Sequence, residues 1–162
     1  MQAGKILVAQ HEGAFVIKLV GDVRLTLCTT IDDFFTEMFA NPTFSGVVID
    51  LEEAEGIDST SLGLLAKLAI QAKQLYQLVP IILSPNPNIT RLLDSMGFNK
   101  VFDIHQDLED QTCDNLGELP MKSADEACCR SKVIEAHKVL MGLNETNRET
   151  FSSLVNTLEA AS

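Results

Sequence analysis

Asp58-Ser59-Thr60-Ser61 sets four short, oxygen-bearing side chains in a row. Each can accept a hydrogen bond from the free N–H groups at a helix start. Downstream, Leu62, Leu65, Ala66, Ala69 and Ile70 recur at helical spacing, with Lys67, Gln71, Lys73 and Gln74 on the other side. That pattern is an amphipathic helix. Upstream, Val47-Val48-Ile49-Asp50-Leu51 is unbroken and largely β-branched, which reads as a strand buried on both faces. Glu52 to Gly56 is the turn between them. Three hydroxyls therefore stand where a helix dipole emerges from a sheet, a place that favours a negative group such as phosphate. On local chemistry alone, one of them is an N-cap and the others face solvent.

Other reactive residue types assemble into nothing comparable. His11, His105 and His137 are far apart and match no metal-ligand spacing. Cys28, Cys113, Cys128 and Cys129 show no CxxC pair, and adjacent cysteines do not bridge each other without strain, so a reduced, cytoplasmic chain is expected. No Gly-rich nucleotide loop is present. His105 is the only histidine considered as a base for Ser59 or Thr60, and nothing in the sequence places it there. The expectation is a protein that is not an enzyme, with no catalytic residue, no metal and no cofactor.

Composition narrows the partners. The chain has 162 residues, 46% of them hydrophobic, and a formal net charge of −11. That charge argues against nucleic acid and against an anionic membrane surface. A protein partner fits better. No signal peptide is recognised at the N-terminus, and no apolar stretch approaches the ~18 residues of a membrane span.

The elements that position the hydroxyl turn read clearly. Lys5 to Gln10 and Ala14 to Val20 are β-rich runs joined through Gly13, a hairpin whose first strand is expected at the sheet edge. Gly21-Asp22-Val23-Arg24 leads into a helix over Thr26 to Ala40, striped with Leu27, Ile31, Phe34, Phe35 and Met38 and ended by Asn41-Pro42. Leu78 to Ser84 is a strand, Asn88 is read as the cap of a helix over Ile89 to Met96, Gly97 ends that helix, and Val101 to His105 is the last short strand. This order predicts an α/β fold: one mixed sheet, mostly parallel after the opening hairpin, with right-handed crossovers.

Beyond the sheet the composition changes. Gln106 to Pro120 is polar and acidic. Ser123 to Glu126 forms a capping box before a helix reaching about Met141, with Ala127, Ile134, His137 and Met141 on one side; Gly142 stops it. Asn144 caps a second helix striped with Phe151, Leu154, Val155 and Leu158. Two such helices cannot bury their stripes alone. They pack on the exposed side of their own sheet, pair with each other, or dock on a second chain as a homodimer.

The run Gly56-Ile57-Asp58-Ser59-Thr60-Ser61-Leu62-Gly63 after its strand resembles the signature of the STAS domain in bacterial anti-sigma-factor antagonists. The usual run there is Asp-Ser-Ser-Gly-Leu-Gly. Asp58, Ser59, Leu62 and Gly63 match, Thr60 takes the second hydroxyl's place, and Ser61 replaces a glycine. Gly21-Asp22-Val23 and the Thr90-Arg91-Leu92-Leu93 to Met96-Gly97-Phe98 helix ending are similar too, with Arg24 where an Asp is common. The resemblance implies a STAS domain over residues 1–108; composition and helical spacing add a linker over 109–121 and a C-terminal helical hairpin over 122–162. It implies a cytoplasmic partner switch, in which an anti-sigma factor that is also a serine/threonine kinase of the GHKL type binds the unphosphorylated chain. Asp58, Ser59, Thr60, Ser61, Leu62, Gly63 and Arg24 would meet that partner. Phosphorylation at Thr60, with Ser59 and Ser61 as alternatives, would release it, and a phosphatase would reset it. The alternative is an accessory or scaffold subunit of a sensory or transport complex with no phospho-switch.

Overall fold

A computed structural model of the chain describes residues 3–106, 117–120 and 126–160. Strands β1 (Lys5–His11) and β2 (Ala14–Val23) pair antiparallel across Glu12-Gly13. Both turn residues have positive φ, 51° and 86°, as a two-residue type I′ hairpin requires. A short 3-10 turn (Leu25–Leu27) leads into α1 (Cys28–Ala40), followed by β3 (Gly46–Asp50), β4 (Ala54–Ile57) and α2 (Ser59–Tyr76). Then come β5 (Ile81–Leu83), α3 (Pro87–Ser95), β6 (Asp103–His105), β7 (Gly117–Glu118), α4 (Glu126–Met141) and α5 (Glu145–Ala160).

The described strands form one mixed sheet in the order β6-β5-β3-β2-β1-β7. β2, β3, β5 and β6 run parallel, whereas β1 is antiparallel to both β2 and β7. The first half of β2 pairs with β3, and its second half, beyond a bend at Gly21, pairs with β4. This is the expected α/β fold, with its opening hairpin, helices packed on the sheet, and a C-terminal helical extension.

Alternate residues build the core. Phe15, Ile17 and Leu19 of β2, Val47 and Ile49 of β3, and Ile82 of β5 are buried on one face of the sheet. Ile31, Phe35 and Met38 of α1 and Leu62, Leu65 and Ala69 of α2 belong to the same cluster. Because these helices collect on one face, β3 is fully buried on that face only: Val48 and Asp50 remain half-buried. The two-sided burial expected of this strand is corrected accordingly. β1 is no free edge either, since Gly117 and Glu118 pair with Val8 and Leu7. The 52–56 turn contains the start of β4. Asn86 caps α3 by accepting the Asn88 N–H at 2.9 Å, which moves the cap two residues upstream of the expected Asn88.

α4 and α5 fold back on their own chain and pack on each other. They do not seek the bare face of the sheet. α4 lies against α2, the helix opened by the hydroxyl run. The face expected of α4 shifts as well, with Ala136, His137 and Leu140 buried and Ile134 and Met141 only half-buried. Asn144 caps α5 through the Asn147 N–H at 2.7 Å. Ser123, which opens the expected capping box, and the proposed domain boundaries lie outside the described residues.

Candidate functional site

Asp58 is the N-cap of α2 and also ties two segments together. Its Oδ1 accepts the Ser61 N–H at 2.8 Å, and its Oδ2 accepts the Leu25 N–H at 2.7 Å. Its own N–H donates to the Val23 carbonyl at 3.0 Å. One carboxylate therefore serves the first turn of α2 and the chain entering α1. This brings Arg24 beside the hydroxyl turn, where its exposed guanidinium pairs with Asp22.

The three hydroxyls differ sharply in access. Thr60 is 5% exposed and Ser61 is 1% exposed, while Ser59 is half-buried. Ser61 Oγ lies 3.8 Å from the Cys28 Sγ. Burial pushes the Cys28 thiol up to about 12, with the contact to Ser61 offsetting part of the rise. Leu62 is core, and Gly63 meets α4. Of the seven residues the sequence points to, the turn presents Arg24, Asp58 and Ser59 to its surroundings and withdraws the other four.

The cover is α4. Ser59 Oγ lies 2.7 Å from His137 Nε2, and His137 Nδ1 lies 2.7 Å from the Val133 carbonyl. In a neutral ring the carbonyl holds the proton on Nδ1, so Nε2 accepts from the Ser59 hydroxyl. His137 is 2% exposed, with the Phe151 ring edge-on at 4.9 Å. The pair has the outline of a nucleophile and its base, but its third partner is a carbonyl and the ring is closed off from solvent. One turn along, a Cβ built on Gly63 would lie 2.3 Å from the Ala136 carbonyl oxygen, so only glycine lets the helices approach this closely here.

Charges complete the contact. Lys67 reaches Glu135 at 2.8 Å and Asp32 at 3.2 Å, and Lys132 also pairs with Asp32. Burial alone would raise the Asp32 carboxyl, but the Lys132 hydrogen bond and the charges of Lys67 and Lys132 outweigh it and hold the group below its ordinary range. Leu64, Cys28 and Ala136 form a small apolar cluster apart from the main core.

His137, Lys132, Ala136 and Asp32 were not recognised from the sequence as parts of this site. Ser59 and His137 are 78 residues apart, and no local pattern joins them. His105, the base considered from the sequence, instead pairs with Asp103 at 2.9 Å on β6. Among the described residues, no group of three or more His, Cys, Asp or Glu is arranged to hold a metal ion, and no helix is long and apolar enough to cross a membrane.

A profile of the family described as STAS domain matches residues 5–111. No curated protein matches the chain. Similar solved structures include the anti-sigma factor antagonist SpoIIAA in its unphosphorylated form, at 16% identity and TM-score 0.53, covering 65% of this chain and 91% of that one. The Bacillus cell fate determinant SpoIIAA in its phosphorylated form aligns at 14% identity and TM-score 0.51, covering 63% and 92%. An anti-sigma factor antagonist from Mycobacterium paratuberculosis aligns at 21% identity and TM-score 0.54, covering 67% and 90%.

Proposed function

The chain belongs to the STAS domain family, and on that premise we propose that it is a non-catalytic, cytoplasmic anti-sigma-factor antagonist in a partner switch. The observation that carries this reading is the Asp58-capped hydroxyl turn at the start of α2, where one carboxylate oxygen caps the helix at Ser61 and the other ties the turn to the Leu25 N–H. Such a turn is rigid and presents a helix N-terminus, and it carries a hydroxyl whose modification changes its charge. Its partner is an anti-sigma factor that is itself a GHKL-type serine/threonine kinase, opposed by a phosphatase.

A phosphate adds about −1.5 to −2 charges at neutral pH. Against a like charge about 5 Å away, each unit costs about 3 kcal/mol at an effective dielectric of 20. Half of one such unit is about a tenfold loss of affinity. The helix dipole accommodates the same group at the N-terminus of α2, so the fold survives and the interface does not.

Exposure ranks Ser59 above Thr60, the position the family resemblance indicates, although the Ser59 Oγ contact with His137 also places Ser59 under α4. The test is incubation of the full chain with GHKL-type anti-sigma factors and ATP, followed by peptide mass mapping. Phosphate on Ser59 or Thr60, with loss of binding, is expected. Equal binding of the modified and unmodified chain would remove the switch. Co-purification with a transport or sensory complex, without phosphate, would favour the scaffold alternative.

A further inference from the structure

We propose that α4 is a displaceable intramolecular cover that occupies the outer face of α2 and must lift before a partner reaches the hydroxyl turn. The inference rests on the partner-switch reading for its consequence, though not for its test. A helix packed on a sheet needs one buried stripe; α2 has two. Leu62, Leu65, Ala66 and Ala69 face the sheet core, while Ser59, Gly63, Leu64 and Lys67, spaced i, i+4, i+5, i+8, form a second stripe on the side toward α4. The family match ends at residue 111 and α4 begins at Glu126, so this face is covered by a helix from outside the family domain.

The two ends of α4 are held differently. Its C-terminal end is anchored: Leu140 and Leu143 join the main core, Lys100 Nζ donates to the Leu143 carbonyl at 2.6 Å, and Asn147 Nδ2 donates to the Met96 and Leu140 carbonyls at 2.8 Å each. The stretch from Lys132 to His137, which lies over the turn, adds to α2 the Ala136 contact, the Ser59 hydrogen bond and the Glu135–Lys67 ion pair, while Lys132 pairs with Asp32 of α1. Contacts of that kind are replaceable by another protein's polar and small side chains. Close packing at Gly63 admits only a small residue opposite, as Ala136 is here. A partner helix seated on this face would therefore carry an alanine or glycine at the crossing and a basic side chain for Asp32.

Cys28 supplies the readout. It is 1% exposed, in the cluster that Ala136 closes. In a full-length chain with Cys113, Cys128 and Cys129 changed to Ser, iodoacetamide labelling of Cys28 is measured against urea, beside global unfolding followed by circular dichroism. Cover motion predicts labelling with a much weaker urea dependence than global unfolding, accelerated about tenfold by Lys132→Glu or by Ala136→Leu. Labelling that follows the global transition with the same slope in all three chains overturns the proposal. So does labelling unchanged by either substitution. The kinase found in the preceding assay should then phosphorylate the Lys132→Glu chain faster than its parent. If labelling shows opening but phosphorylation rates are equal, the cover does not guard the turn. If no kinase acts on either chain, the partner-switch reading fails while the Cys28 result still decides whether α4 lifts.

Discussion

Ser59 and His137, 78 residues apart, meet at 2.7 Å across the crossing of α2 and α4. The imidazole is buried, so removing its donor leaves Nε2 unpaired in a closed environment. Ser59→Ala is expected to weaken docking of α4 by about 1–3 kcal/mol, because a buried acceptor loses its partner. A double-mutant cycle with His137→Ala, read by amide exchange of α4, should return a coupling of about 1 kcal/mol between the two positions. Additive effects would mean that the contact holds nothing.

Asp58 should matter more to the fold than any other residue of the turn. Asp58→Ala loses the N-cap of α2 and the bond to the Leu25 N–H together, an expected cost of about 2–4 kcal/mol in urea unfolding. Asp58→Asn keeps one acceptor oxygen and should cost less, with the loss falling on whichever N–H the amide nitrogen faces.

Gly63→Ala tests the close approach. In an isolated helix the change favours helix formation by up to about 1 kcal/mol. Here the new methyl would meet the Ala136 backbone at 2.3–2.6 Å, so α4 must shift. Amide protection should fall in α4 while the sheet strands keep theirs; a uniform loss would show instead that α4 and the sheet unfold as one unit.

The Asp32 cluster sets a pH window. Its carboxyl is held below the ordinary value, so its contribution is present above that value and disappears as pH falls through the folded one. Burial lowers Lys67 and Lys132, but hydrogen bonds and charges from Asp32 and Glu135 outweigh it and leave both raised above 10.5. Their contribution is present below that value and disappears as pH rises through the folded one. The contribution of these ion pairs to docking of α4 should be present between about pH 4 and about pH 10 and should be lost on both sides. Exchange of the α4 amides, corrected for intrinsic rate, measures it.

On the acceptor itself, Ser59→Ala should lower phosphorylation at least roughly tenfold, and Thr60→Ala should not, since a kinase reaches the more accessible hydroxyl first. The reverse result would assign Thr60, the more deeply buried of the two hydroxyls, as the acceptor.

Much of this molecule is written locally. The alternation of Phe15, Ile17 and Leu19 against Val47 and Ile49, and the positive φ at Gly13, follow from side-chain period and turn chemistry. The short strands β4 and β7 do not, because Glu55-Gly56 and Gly117-Glu118 have no strand preference and pair only through their neighbours. The second stripe of α2 was hidden because it is built of Ser59, Gly63 and Lys67 around one leucine, residues that read as polar surface until a helix covers them. The face of α4 was misplaced for a related reason: Lys132 and Glu135 make ion pairs with Asp32 and Lys67, which hydrophobic spacing does not register.

The pairing of β7 with β1 has a quantitative consequence for α4. Gly117 and Glu118 fasten the chain to the outer strand only eight residues before Glu126. Fully extended, eight residues reach less than about 30 Å. A lifted α4 thus remains leashed near its own berth, at a local concentration on the millimolar scale typical of short tethers. A free rival must outbid a neighbour that never diffuses away, so the strength of that leash sets the threshold abundance at which any partner gains the turn.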